Sequence, residues 1–181
     1  INSLPKDLED IDGLICVYET YIIGLSIIAD YYNLPALPHE VAIACTDKLI
    51  MREKFLSYDK SITPDFAEIR IESDLAEFMK SHKYPVILKP TNLSKSLLVT
   101  KNNSFDELLN NYKKSSKIIA DIYNKHSIKR SPRLLIEEFM EGSVHSMDAF
   151  IDLGKNIHFV DEIVGYETGY DIGKSDNYHF S

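Results

Sequence analysis

Apolar and polar positions near the start of the chain alternate in blocks that predict a strand followed by a helix. Residues 12–18 (DGLICVY) form a short apolar run rich in residues that favour strands, which predicts a buried parallel strand. Residues 21–32 then carry apolar side chains along one broad face, typical of a helix packed on a sheet, and Pro35 follows its end. We interpret this pair as the tail of a doubly wound α/β unit.

The pattern after residue 46 predicts a small β-α-β-β-α-β lobe and then an antiparallel sheet. Thr46 or Asp47 caps a helix that runs to about residue 57, and Ser73 caps an amphipathic helix that runs to about residue 82. Ser104 and Glu107 form a capping box for a helix that reaches about residue 123. The predicted strands are residues 64–69, 84–88, 97–100, 133–139, 144–152 and 157–164. The fold class is therefore α+β, built on an α/β lead-in.

Charge, apolar runs and cysteines limit the classes of protein to which this chain can belong. The 181 residues carry a formal net charge of −8, which argues against a general nucleic-acid binder but permits one nucleotide held by a few lysines. No apolar run approaches the length of a membrane-spanning helix. Cys16 and Cys45 lie in apolar surroundings and match no zinc pattern, so we expect buried, reduced thiols in a cytoplasmic protein.

The two ends of the sequence predict a fragment of a longer protein. The start, INSLPKDLED, has no initiator methionine and no signal-peptide architecture. The end, KSDNYHFS, closes neither a helix nor a strand.

Three segments carry residues suited to chemistry. Residues 47–52 (DKLIMR) place Lys48 at a helix start, and residues 84–90 (YPVILKP) deliver Lys89 at the end of a strand. Residues 135–142 (LIEEFMEG) run through Glu137 and Glu138 into a glycine turn. Each alone has an ordinary interpretation, namely a surface lysine, an edge-strand lysine and a pair of strand carboxylates. Their order and spacing favour a common function.

In that order the segments resemble the ATP-grasp superfamily, over residues 12 to about 164. The resemblance is to its carboxylate–amine ligases, in the biotin-carboxylase-like and amino-acid-ligase-like branch. It implies two lobes that clamp ATP between antiparallel sheets. Residues 1–46 would then end a Rossmann-like pre-ATP-grasp domain, and residues 47–181 would begin the ATP-grasp domain. The small lobe would span about residues 60–135, and the second lobe would start at residues 136–181.

The resemblance also implies a set of nucleotide-binding residues. Lys48 and Lys89 would contact the phosphates, because an ammonium group neutralises phosphate charge without demanding a planar geometry. Glu138 and Met140 would contribute backbone C=O and N–H groups to the adenine edge, with Glu137 and Phe139 in the same stretch. Asp148, on the next strand, would line the cleft.

Two departures from the family pattern concern the phosphates and the ribose. The loop after Lys89 is glycine-rich in many relatives, whereas residues 91–97 contain no glycine, so the side chains of Ser94, Lys95 and Ser96 would have to meet the phosphates. The glutamate expected two residues after Gly142 is Val144. The adjacent His145 is either its partial replacement or a half-exposed strand residue.

Metal ligands and catalytic residues are expected beyond this segment. The family binds Mg²⁺ through an acidic pair and an asparagine on later strands, and Asp161, Glu162, Asp171 and Asp176 do not match that motif. The six histidines never lie near Asp, Glu or Cys at the spacing of a metal site, so the sequence predicts no zinc site. We expect the chain alone to bind ATP weakly and not to turn over.

Three functions remain open at this stage. The leading one is a ligase that activates a carboxylate as an acyl-phosphate for attack by an amine or thiol. Its partners would be ATP, Mg²⁺ and a small carboxylate or amino acid, without nucleic acid or membrane and with a possible homodimer in the full-length parent. The alternatives are a non-catalytic nucleotide-binding or regulatory module, which the glycine-free loop favours, and a structural α/β piece with surface lysines. An acidic-x-Asn motif downstream would favour the ligase.

Overall fold

The computed structural model describes residues 11–94, 96–125 and 130–166. The chain divides into two compact units between Lys54 and Phe55. The division falls within one helix, and each unit is considered separately. The predicted domain boundary at residues 46 and 47 stays a prediction.

Helices make up the first unit. A 3₁₀ turn (Glu19–Tyr21) leads into α1 (Ile22–Tyr31), and α2 (His39–Thr46) precedes the start of α3 (Lys48–Tyr58). The Ser26 hydroxyl of α1 lies 3.1 Å from Nδ1 of His39 at the start of α2. Buried alanines on both helices, Ala29 and Ala42, allow close packing.

Asp47 caps α3 as the sequence predicts. Its carboxylate accepts from the N–H groups of Leu49 at 3.1 Å and Ile50 at 3.4 Å, which satisfies donors that have no partner within the first turn. The predicted helix over residues 47–57 is confirmed, with observed bounds of Lys48–Tyr58.

The strand predicted over residues 12–18 is wrong. Residues 11–17 form no strand, and Ile15 and Val17 are exposed. A strand needs a neighbour to satisfy its backbone hydrogen bonds, and the first unit offers none among its described residues. An apolar run alone therefore did not define a strand, and the described residues do not show the Rossmann-like lead-in.

The second unit begins with the predicted β-α-β-β-α-β lobe, which is confirmed. Its elements are β1 (Phe66–Ile69), α4 (Glu72–Met79), β2 (Val86–Pro90), β3 (Thr100–Asn102), α5 (Phe105–Lys125) and β4 (Leu134–Glu138). The strands form one antiparallel sheet in the order β1-β4-β2-β3. The two central strands, β2 and β4, therefore lie side by side although α5 separates them in sequence.

One face of this sheet carries the core. Val86 and Leu88 of β2 and Ile136 of β4 pack in a single cluster with residues of α4 and α5. Leu88 and Ile136 are directly paired and fully buried, so their side chains lie on the same face of the sheet. The other members of the cluster are Ile69, Leu75, Phe78, Leu93, Leu108, Ile119, Tyr123 and Leu134.

Helix starts differ in detail from the predictions. α4 begins at Glu72 and its N-cap residue is Ile71 rather than Ser73; the carboxylate of Asp74, in the first turn, accepts from the N–H groups of Arg70 and Ile71. These bonds hold the pKa of Asp74 below its ordinary value. At α5 the Glu107 N–H donates to the Ser104 hydroxyl as predicted, whereas the Glu107 carboxylate accepts from Asn103.

A separate two-stranded sheet follows. β5 (Val144–Ile151) and β6 (Ile157–Tyr166) pair antiparallel around a turn at residues 152–156, as the sequence predicts. The register shifts between Met147 and Ala149, so Asp148 sits at an irregularity of the hairpin. None of the described helices combines the length and apolar character needed to cross a membrane.

Candidate nucleotide-binding site

The face of the sheet opposite the core gathers the charged residues of interest. In an antiparallel pair, residues directly opposite each other share a face. Ile87 is paired with both Glu137 and Lys101, and Lys89 is paired with Leu135. Because Ile87 and Lys89 alternate with the core residue Leu88, this register places Lys89, Lys101 and Glu137 together on the non-core face.

Lys89 and Glu137 form an ion pair on that face. They occupy diagonal positions of the β2–β4 pair, which lies within the reach of a lysine side chain. Their side chains are only 13% and 6% exposed, so both charges have been taken out of most of their water. A buried charge is tolerated when it is paired, and this pairing fixes the ammonium of Lys89 at one place on the sheet.

Lys101 and Phe139 add a second cationic contact. Nζ of Lys101 lies 3.8 Å from the ring centroid of Phe139, within cation–π range. Phe139 was predicted from the sequence, whereas Lys101 was not, because the predicted hairpin partner ended at residue 100. The strand in fact covers Thr100–Asn102. Only the register with β2 shows that Lys101 and Glu137 share a face.

One backbone group of Glu138 is already hydrogen-bonded within the lobe. Its N–H donates to the Asp65 carbonyl at 3.0 Å. An adenine edge could therefore use the carbonyl of Glu138 but not its N–H. Met140 is exposed just beyond β4, and Gly142 follows at φ 131°, a conformation that side-chain-bearing residues rarely adopt.

Two backbone hydrogen bonds hold the described part of the glycine-free loop after β2. Leu97 N–H donates to the Ser94 carbonyl at 3.3 Å, and Val99 N–H donates to the Ser96 carbonyl at 3.2 Å. Ser96 and Leu98 take positive φ angles of 53° and 59°, in the left-handed region that glycine adopts without strain. Lys95 lies outside the described residues.

Asn92, at the start of this loop, is a polar residue that sequence analysis missed. Both polar atoms of its side-chain amide are buried, and neither has a hydrogen-bond partner among the described residues. Leaving such a group unsatisfied is unfavourable by about 1–3 kcal/mol. Only burial marks this residue, and a loop asparagine gives no such signal in sequence.

The remaining predicted residues lie elsewhere in the chain. Lys48 is the first residue of α3 and is half-buried in the first unit. His145 is exposed on β5, opposite Gly165, and a Cβ on that glycine would lie 3.5 Å from the His145 ring. That local packing agrees with the interpretation of His145 as a strand residue. Asp148 is exposed at the hairpin irregularity.

Two carboxylates lie on β6. Asp161 and Glu162 are exposed neighbours in sequence, opposite the register shift of β5. Asp171 and Asp176 lie outside the described residues. In the described part of the chain, one group of three metal-ligating side chains comes together, and it consists of Asp65, His82 and Glu138. Sequence spacing gave no sign of this group, because residues distant in sequence meet at the end of the sheet.

Comparisons with known proteins agree with this fold. Residues 82–162 match the sequence profile described as an ATP-grasp domain. The L-amino acid ligase from Bacillus licheniformis superimposes with a TM-score of 0.73 at 22% identity, covering 95% of this chain and 38% of that protein. The D-alanine–D-alanine ligase from Helicobacter pylori gives 0.57 at 18% identity, covering 84% and 45%.

A third solved structure contains a nucleotide. The N5-carboxyaminoimidazole synthetase from Staphylococcus aureus, complexed with ADP, gives a TM-score of 0.67 at 15% identity and covers 88% of this chain and 39% of that protein. Comparison with curated protein sequences finds no match. The chain spans less than half the length of each of these three structural relatives. Residues 82–162 therefore belong to an ATP-grasp domain, and the chain that carries them has the fold of ATP-grasp ligases.

Proposed function

We propose that this chain supplies the nucleotide-holding part of an ATP-dependent ligase that activates a carboxylate as an acyl-phosphate for attack by an amine or thiol. The observation that carries the proposal is the buried Lys89–Glu137 ion pair on the non-core face of the sheet. A structural lysine would gain more from a solvated position, whereas a lysine that must meet phosphate has to be held in place.

Lys89 would act as a fixed positive charge. Its ammonium would bind phosphate oxygens and offset the negative charge that develops during phosphoryl transfer. Glu137 would orient this ammonium, and Lys48 would supply a second phosphate contact. Groups fixed before the reaction need no reorganisation as charge moves, which is why the pairing of Lys89 favours a binding role.

The end of β4 would form hydrogen bonds with the adenine base. We propose that the Glu138 carbonyl accepts from the exocyclic amine and that the Met140 N–H donates to the ring. The engaged N–H of Glu138 is consistent with this division of roles. Phe139, with Lys101 over its ring, would lie beside the base, and Asn92 would gain a partner for its amide at the phosphate end.

The rest of the reaction would depend on residues outside the described part. Mg²⁺, when bound, would neutralise phosphate charge, and we place its ligands beyond the described residues. The acceptor site would also lie largely there. The chain alone would therefore bind ATP weakly and would not turn over. Cytoplasmic localisation and a homodimeric parent remain predictions.

A second candidate is a nucleotide-binding module without catalysis. The observation that favours it is the loop over residues 91–99, in which Ser96 and Leu98 hold left-handed conformations and Ser94 is exposed. Val144 also leaves the ribose position without a carboxylate. Such a module would bind ATP with the same residues but form no acyl-phosphate.

Hydroxylamine trapping separates the two candidates. The full-length natural protein would be incubated with Mg²⁺, ATP, hydroxylamine and a panel of amino acids and small carboxylic acids. A ligase forms an acyl-phosphate and ADP from the carboxylate and ATP. Hydroxylamine then attacks the acyl-phosphate, releasing phosphate and leaving a hydroxamate that is detected as its coloured ferric complex. Hydroxamate formation that is lost in Lys89→Ala supports the ligase. Nucleotide binding without hydroxamate or ADP release for any acid supports the module.

A further inference from the structure

A cluster of metal-ligating side chains lies at the end of the sheet. Asp65 immediately precedes β1, Glu138 ends β4, and His82 follows α4. One ligand atom from each of the three lies within 4.8 Å of the others. Three segments that are distant in sequence thus deliver two carboxylates and an imidazole to one point.

Two hydrogen bonds join Asp65 to Glu138. The Glu138 N–H donates to the Asp65 carbonyl at 3.0 Å, and the Asp65 N–H donates to Oε2 of Glu138 at 3.0 Å. The first bond continues the β1–β4 ladder by one residue beyond Phe66 and Glu137, and the second holds the Glu138 carboxylate at the Asp65 backbone. The sheet therefore positions the Glu138 carboxylate beside Asp65.

The contacts of His82 determine whether its second ring nitrogen, Nε2, carries a proton or a lone pair. Nδ1 lies 2.7 Å from the Phe78 carbonyl, and because a carbonyl can only accept, Nδ1 carries the proton. The ring also stacks on Phe78 with centroids 3.9 Å apart, which holds its plane. In the neutral imidazole, Nε2 therefore carries a lone pair.

That lone pair faces a carboxylate. Nε2 of His82 lies 3.4 Å from Oδ2 of Asp65, so two acceptors oppose each other unless a cation or a proton lies between them. Lys60 contacts the other Asp65 oxygen, Oδ1, at 3.2 Å and leaves Oδ2 directed at the histidine. A backbone carbonyl on the remote ring nitrogen is the arrangement that orients metal-binding histidines.

We propose that Asp65, His82 and Glu138 bind a divalent transition-metal ion, with Zn²⁺ as the preferred ion. Nε2 of His82, Oδ2 of Asp65 and a carboxylate oxygen of Glu138 would be its ligands. One nitrogen and two oxygens suit Zn²⁺ or Co²⁺, whereas Mg²⁺ favours oxygen ligands and retained water. Two carboxylates balance the charge of the ion, and a solvent molecule would complete a tetrahedral set.

Such an ion would join the loop after α4 to the ends of β1 and β4. Glu138 is also the residue whose backbone we propose for the adenine edge, so the ion would stiffen the strand end on which the base rests. The metal site does not depend on nucleotide binding, and its test uses no nucleotide. The competing occupant is a proton that makes His82 an imidazolium beside Asp65 and Glu138, with Lys60 as the other charged neighbour.

Imidazole nitrogen NMR on the wild-type chain tests the proposal without relying on a variant. The chain would be labelled with ¹⁵N-histidine, kept reduced and titrated with Zn²⁺ at neutral pH. We expect one His82 nitrogen, Nε2, to shift to the metal-bound position at one equivalent of Zn²⁺, whereas an excess of Mg²⁺ leaves it unchanged. A His82 signal that responds to pH but not to Zn²⁺ would show that the proton is the only occupant and would overturn the proposal.

Variants then assign the ligands. Calorimetric titration with Zn²⁺ should show a loss of at least tenfold in affinity for His82→Gln and for Asp65→Asn. His158→Gln is the matched control, because His158 also lies beside an aspartate, Asp152, at 2.9 Å but outside the cluster. It should retain wild-type affinity. Equal affinity in His82→Gln and wild type would contradict the site.

Discussion

At the scale of single residues, the non-core face of the sheet is defined by one buried ion pair. Lys89 and Glu137 lie in neighbouring strands and are almost fully enclosed. Their attraction offsets the loss of hydration only while both are present. The strand ladder therefore both creates the pair and makes it sensitive to substitution of either member.

Replacing Lys89 by methionine should destabilise the protein more than any loss of packing explains. The Lys89→Met side chain keeps about the length of lysine but removes the buried ion pair with Glu137, which is expected to lower the free energy of unfolding by about 3–5 kcal/mol. Urea denaturation measures this difference. The double variant Lys89→Met/Glu137→Leu should recover much of the loss. A single variant as stable as wild type would show that the pair is not buried as described.

At the scale of elements, the turn of the β5–β6 hairpin is organised by Asp152. Its carboxylate accepts from the backbone and side chain of Asn156 and pairs with Nε2 of His158 at 2.9 Å. These interactions lower the pKa of Asp152 from 3.8 to about 2, with the His158 hydrogen bond as the largest cause. A single acidic side chain thus joins the two ends of the turn.

The pH dependence of this turn follows from the direction of that shift. Because the folded pKa of Asp152 lies below its ordinary value, its contribution to stability is complete above pH 3.8 and is lost as the pH falls towards 2. Carboxyl ¹³C NMR should give a midpoint near 2. The His158→Gln variant should move that midpoint upward. A wild-type midpoint at the ordinary value would contradict the described turn.

The backbone conformation of the loop after β2 can be tested by substitutions at Ser96. Ser96 holds φ 53°, where a β-branched side chain meets severe steric conflict and glycine meets none. We expect Ser96→Val to be less stable than Ser96→Gly by about 1–2 kcal/mol, measured by urea denaturation. Equal stability of the two variants would mean that the backbone at residue 96 is not left-handed.

Elements with strong local signals could be predicted from sequence, and those that depend on pairing could not. Apolar periodicity was sufficient for the β-α-β-β-α-β lobe, because each of its helices and strands buries one face in a common core. The same kind of apolar run at residues 12–18 failed, since an apolar segment becomes a strand only beside another strand. The hairpin partner shifted to Thr100–Asn102 because the preceding residues form tight turns.

The residues of the candidate site also divide into those that could be predicted from the sequence and those that depend on the pairing of strands. Lys89 and Glu137 follow from family resemblance, and the structure adds that they contact each other. Lys101 and Asn92 could not be recognised, because strand register identifies one and burial the other. The Asp65–His82–Glu138 cluster was missed for a similar reason, since His82 and Glu138 are neighbours only through the sheet.

At the scale of the whole molecule, the chain consists of two compact units, and most of the nucleotide-binding residues that we propose lie in the second. Lys48 belongs to the first unit, and Lys89, Glu137 and the end of β4 belong to the second. The chain also spans less than half of each of the ligases that it resembles. We therefore expect the second unit to provide a weak but specific nucleotide site.

An ATP titration followed by ¹⁵N NMR tests this account most directly. In the wild-type chain we expect the amide signals of residues 137–140 to move, with a Kd of about 1 mM, which corresponds to about −4 kcal/mol. Lys89→Ala should abolish these changes in a variant that remains folded. Lys113→Ala should not, because Lys113 lies on α5 beside Glu72. Unmoved signals at saturating ATP, or equal movement in Lys89→Ala, would contradict the proposed site.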